Sequence, residues 1–265
     1  MLPLADGTVR VRDCDLEFSF DSPGNWFERH LRDSAFDVFE FSIAHYLITH
    51  DRPRPQWDWI GVPVFLSKAL ADLKWFVGRS RTHSQGVLLG IDEKPLPNIR
   101  MRWLYEAGAL DRLLRTGQLD AAFATDEEPI DVLDPVLRPL FPDGGRALVG
   151  DFFARRGFEP VNHTVLLRRP LAEEHPWLPE ALYAAFEASK QEAYRRDPST
   201  RCIFPVQDAQ DAAEQRERFG EDPFASGLAA NRDMLVMAAQ QSVLEGTIRE
   251  LPRIDDLFHP AVRAT

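Results

Sequence analysis

The sequence predicts an α/β fold with a largely parallel sheet. Up to Arg169, short apolar strands alternate with helical segments, and beyond it helical spacing dominates. Among the 265 residues, 44% are hydrophobic, with 18 Phe and 6 Trp, enough apolar material for a substantial core.

Each element has a local reason. Residues 9–20 alternate apolar and polar side chains, which predicts a strand. Ser22-Pro23-Gly24-Asn25 turns the chain into a helix over 26–31. Residues 36–41 form a short apolar strand, Ser42 is a fitting N-cap, and a helix follows over 43–49. A Pro-rich loop at 51–55 leads to a strand over 57–65, and Ser67 caps the next turn. Residues 76–91 mix strand-like runs with polar side chains. Residues 104–114 have helical spacing that stops at Gly117, and 120–124 is a short strand. Helices follow at 130–137 and 147–156, the second ending at Gly157. The apolar run 161–167 is the last strand. Helices at 179–195, 209–219 and 231–244 complete the chain. No internal repeat or low-complexity segment interrupts it.

Charge and composition exclude several classes. Formal net charge is −11, and no basic stripe stands out, so a nucleic-acid partner is not expected. A few arginines in a cleft can still attract a small anion against that global sign. Cys14 and Cys202 are the only cysteines and are far apart, so neither a thiolate zinc site nor a disulfide framework is expected. The start of the chain has no basic segment followed by an apolar one, and no apolar run reaches membrane-spanning length. The expectation is a cytoplasmic protein without a membrane partner; a homo-oligomer is left open.

The chemistry concentrates in Pro160-Val161-Asn162-His163-Thr164-Val165-Leu166-Leu167-Arg168-Arg169. One histidine and one hydroxyl stand at the mouth of an apolar strand that ends in two guanidinium groups. A histidine can hold or give a proton near neutral pH, and an arginine fork suits carboxylates. The plainer alternative is a buried strand with a histidine at one end and arginines snorkelling at the other. Seven histidines are present, but none has HxH or HExxH spacing, and His45 and His50 miss the i,i+4 alignment. No metal is expected. No GxGxxG, GxxxxGK[ST] or GxSxG motif occurs. Ser42 and Ser67 each follow the carboxyl end of a strand, where ligands of open α/β sheets bind and helix N-termini favour anions. They either hold a carboxylate or simply cap helices.

Several segments resemble the 4,5-dihydroxyphthalate decarboxylase family. These are Phe36-Asp37-Val38-Phe39-Glu40-Phe41-Ser42 with Tyr46-Leu47, Ile60-Gly61-Val62-Pro63-Val64-Phe65-Leu66-Ser67-Lys68, and Gly117-Gln118-Leu119-Asp120-Ala121. Gly157 to Val165, running on to His175-Pro176-Trp177, is the closest likeness. Phe219-Gly220-Glu221-Asp222-Pro223 with Gly227-Leu228 and Asn231-Arg232 is similar to the C-terminal signature. The resemblance is collinear over most of the chain. It implies an α/β, two-lobed type 2 periplasmic-binding-protein-like fold with a reduced second lobe. Lobe I would take residues 1–78 and 159–265, and the shortened lobe II residues 79–158. Departures are the Arg-His-Ser segment, replaced here by Ala71-Asp72-Leu73, and an aromatic and an acid replaced by Ser226 and Ala229.

The resemblance further implies a decarboxylase that needs no cofactor and takes a small anionic aromatic or organic-acid ligand. His163 would be the general acid and Glu40 would orient a ring hydroxyl. Ser42, Ser67 and Lys68, with Asn162 and Thr164 beside them, would hold the substrate, and Arg232 would clamp a second carboxylate. Two alternatives stay open: a non-catalytic protein that binds a small organic anion, and another small-acid transformation on the same scaffold.

Overall fold

The computed structural model describes residues 2–20, 23–68, 108–121, 137–138, 141 and 143–265. In chain order the elements are α1 (Leu2–Ala5), α2 (Pro23–Asp33), β1 (Val38–Ser42), α3 (Ile43–Asp51) and β2 (Trp59–Lys68). Then come α4 (Ala109–Arg115), α5 (Arg146–Arg156), β3 (Val161–Arg168), α6 (Arg169–Glu174), α7 (Leu178–Arg196), α8 (Ala209–Phe219) and α9 (Leu228–Leu244). Short 3-10 turns at Pro198–Arg201, Ile254–Leu257 and Pro260–Val262 complete the set.

The three described strands form one sheet in the order β1-β3-β2, and β3 is antiparallel to both neighbours. This corrects the expected largely parallel sheet. β1 and β2 do run the same way, joined through α3. β3 returns only after the long excursion that follows Lys68, and it enters between them in the opposite sense. The carboxyl ends of β1 and β2 therefore meet the amino end of β3 at one edge of the sheet.

Two apolar clusters cover the faces. One joins Phe39, Phe41, Trp59 and Leu166 to α2, α3, α9 and Phe258. The other joins Ile60, Val62, Val165 and Leu167 to α7 and Leu4. In α7, Leu178, Ala181, Leu182, Ala185 and Ser189 fall on one buried stripe at helical spacing. Glu180 in the first turn and Arg195 and Arg196 in the last suit the helix dipole.

β2 is irregular because Pro63 has no N–H to donate, and its register with β3 shifts between Val62 and Ser67. The Thr164 hydroxyl compensates, lying 3.2 Å from the Val62 carbonyl and 3.1 Å from that of Val64. Gly61 is required: an added Cβ would lie 2.7 Å from both the Leu257 carbonyl and the Phe258 ring.

The segment 9–20 forms no strand. Its alternation comes from Val11, buried in the second cluster, with Leu16 and Phe18 partly buried against it, without a hydrogen-bonded partner strand. The expectations at 71–73, 76–91 and 130–136, and most of that at 120–124, lie outside the described residues, as does much of 79–158. Among the described residues, no helix is long and apolar enough to cross a membrane.

Candidate functional site

The sheet edge collects most of the residues singled out from the sequence. In the strand register His163 is the partner of Ser42 on one side and of Ser67 on the other, and Lys68 pairs with Val161. Side chains of directly paired residues share a face, so Ser42 and His163 stand side by side, with the backbone of Ser67 on the other flank of His163. Asn162, next to His163, is exposed.

Glu40 pairs with Val165 and so shares that face with His163, two residues away. Its Oε1 lies 2.7 Å from His163 Nδ1. Both side chains keep about one fifth of their surface, 20% and 21%, open to solvent. A carboxylate only accepts, so it accepts the hydrogen bond from Nδ1–H and leaves Nε2 as the nitrogen turned to a ligand. Glu40 thus orients the histidine, where the sequence reading gave it a ring hydroxyl to orient.

Aromatic rings wall the pair. The Phe27 ring stands edge-on to His163 with centroids 5.3 Å apart, and edge-on to Phe41 at 5.2 Å. His45, in the first turn of α3, joins the same group, 5.8 Å from Phe27 and 5.7 Å from Phe41. Its Nδ1 is buried without a hydrogen-bond partner. Burial, and then the nearby His163, hold the His45 imidazole down at about 4, against an ordinary 6.5. His45 is therefore neutral at neutral pH beside His163. In the sequence His45 stands out only by its spacing to His50, which suits no metal site. No spacing marks it as part of this group, because Phe27 and His163 reach it from distant segments of the chain.

Ser42 occupies the N-cap position of α3, yet its hydroxyl makes no capping bond. That leaves the hydroxyl and the helix start at the same edge as His163, an arrangement suited to an anion.

Two of the expected residues are placed otherwise. Thr164 is fully buried, its hydroxyl committed to the β2 irregularity. Arg232, in α9, meets Asp255 at 2.5 Å, which holds the Asp255 carboxyl below its ordinary range. No hydrogen bond or ion pair among the described residues joins Arg232 to Glu40, Ser42 or His163. Nor do Arg168 and Arg169 stand near the histidine. Arg168 ends β3 and Arg169 opens α6, about 17 Å from the histidine along a strand that rises about 3.3 Å per residue. There they pair with Asp37 at 3.1 Å and Asp58 at 3.0 Å.

Fold and site together define an α/β protein with a carboxylate-oriented histidine at the carboxyl ends of two strands. No protein-family profile matches the chain. A curated protein of Comamonas testosteroni named 4,5-dihydroxyphthalate decarboxylase is 27% identical over 313 aligned residues, covering 98% of this chain and 93% of the relative. The two proteins are distantly related. The alignment is longer than the chain's own 265 residues, so the relative carries residues that have no counterpart here.

Proposed function

We propose that the chain is a cofactor-independent, decarboxylase-like enzyme acting on a small aromatic carboxylic acid of the dihydroxyphthalate type. The observation that carries this reading is the 2.7 Å contact of Glu40 with His163 at the sheet edge. The distant relative's name supports the reaction class.

In the proposed reaction, a ring hydroxyl para to the departing carboxylate pushes electrons into the ring. His163, as the imidazolium with its Nδ1–H on Glu40, gives its Nε2 proton to the carbon that bears the carboxylate. The bond from that carbon to the carboxylate then breaks, its electron pair restores the aromatic ring, and CO2 leaves. The para oxygen keeps its proton throughout, and the neutral His163 is reprotonated from solvent before the next turnover, so the net change is replacement of CO2 by one proton. Glu40 holds the ring through Nδ1–H and offsets the charge of the imidazolium that gives the proton. Ser42, Ser67, Lys68 and Asn162 hold carboxylate oxygens, helped by the first amides of α3. The apolar wall of Phe27 and Phe41 limits water around the reacting charge. Thr164 and Arg232 have no part in this proposal.

The test is a thermal-shift and calorimetric screen over phthalates, dihydroxybenzoates and small aliphatic acids, followed by CO2 detection with each acid that binds. CO2 release from a dihydroxyphthalate without added metal or organic cofactor is the expected result. Binding without CO2 release overturns the enzyme reading in favour of a binding protein, and no binding of aromatic acids removes the substrate class.

A further inference from the structure

A second cleft lies away from the sheet edge, between the carboxyl end of α7, the 3-10 turn at Pro198–Arg201 and the first half of α8. Its volume is about 510 Å3, within the range of small-ligand sites. Tyr194, Val206 and Ala212 give it an apolar lining, and Arg201, Arg216 and Cys202 give it polar atoms.

The two arginines are little used by the fold. Arg201 stacks over the Tyr194 ring at 4.9 Å. Its Nε is buried and has no hydrogen-bond partner. Its nearest carboxylate, Glu221, is 3.7 Å away and 78% exposed, so that ion pair is weak. Arg216 is exposed, and no ion pair among the described residues engages it. The other charged groups of the lining are already committed. Arg195 is held by Glu192 at 2.8 and 2.7 Å, and Asp208 accepts the Asp211 amide at 2.9 Å. A buried guanidinium nitrogen without a partner is costly unless something fills its place.

We propose that this cleft binds a small organic carboxylate, its anionic end on Arg201 and Arg216 and its apolar body against Tyr194, Val206 and Ala212. Arginine presents several N–H groups in a planar fork that matches a carboxylate, and stacking on Tyr194 already fixes its plane. The apolar lining favours an acid with a ring or chain over a bare inorganic anion. The site goes beyond the proposed reaction and does not depend on it.

Cys202 supplies a local probe, with Cys14 as an internal control, since both thiols are free and partly exposed. Alkylation by iodoacetamide at alkaline pH is followed by mass spectrometry on the full chain, with benzoate, acetate or inorganic phosphate present. Benzoate at about ten times its Kd is expected to slow Cys202 about tenfold by mass action and to leave Cys14 unchanged. Arg201→Gln and Arg216→Gln are expected to lose that protection, and His163→Ala to keep it. No protection by benzoate, or equal protection in Arg201→Gln, overturns the site. Protection by phosphate or acetate equal to that by benzoate overturns the part played by the apolar lining. Loss of protection in His163→Ala shows that the effect comes from the sheet edge and also overturns the second site.

Discussion

Glu40 Oε1 and His163 Nδ1 are 2.7 Å apart although 123 residues separate them in the chain. The contact follows from strand direction. Because β3 runs against β1, Glu40 lies opposite Val165 and diagonal to His163 on the same face. A one-residue slip in that register would turn Glu40 to the opposite face and break the pair.

The pair predicts the effect of Glu40→Gln. The amide retains the shape and one acceptor oxygen but removes the charge that orients the imidazole. We expect kcat for CO2 release to fall by about 10²–10⁴-fold, the usual worth of positioned acid–base catalysis, with KM and thermal stability nearly unchanged. Steady-state kinetics of the purified variant checks this, and an unchanged kcat removes Glu40 from the mechanism.

Thr164 gives the opposite expectation. Thr164→Val keeps the side-chain volume and removes the hydroxyl that donates to the Val62 and Val64 carbonyls. Leaving such buried acceptors short of a donor costs about 1–3 kcal/mol. Urea unfolding should report that loss while kcat of the folded fraction stays at the wild-type level. A large loss of kcat without loss of stability would instead return Thr164 to the substrate site.

Much of this arrangement is legible in the sequence. The apolar runs before Ser42 and Ser67 and the run after Asn162 each become a strand, and the serines stand at strand ends as their positions suggest. The direction of β3 is not legible, because the alternation of strands and helices does not record that a strand returning after a long excursion enters between its predecessors. Residues 9–20 show the converse: period-two alternation reports contact with an apolar surface, here Val11 in the second cluster, and not a ladder. Arg232 looks available in the sequence because its partner Asp255 is 23 residues away. His45 is hidden for a related reason, since only the fold shows that the start of α3 lies over His163.

Buried histidines make stability depend on acid. Burial, and then Arg168, hold the His30 imidazole down at about 3, and His45 is held at about 4. Both folded values lie below the ordinary 6.5, so between those limits the unfolded chain binds more protons than the folded one. The stabilisation is complete above about 6.5 and declines as pH falls toward 3. Urea midpoints should therefore drop between about pH 7 and pH 5, and His30→Gln should shrink that drop. An identical drop in the variant contradicts the assignment to His30.

Gly61→Ala tests how the C-terminal segment seats on β2. The added methyl would press on the Leu257 carbonyl, which also accepts the Tyr46 hydroxyl, and on the fully buried Phe258 ring. Overpacking of this kind costs about 1–3 kcal/mol. Thermal unfolding should show the loss; wild-type stability would mean that the close approach is not required.

The most direct test of the central claim compares wild type with His163→Ala, measuring CO2 release from 4,5-dihydroxyphthalate and calorimetric binding of the same acid. Release by the wild type, none above background by the variant, and binding by both are the expected results, since in the proposed reaction His163 supplies the proton and other groups hold the carboxylates. Wild-type turnover in His163→Ala would contradict it.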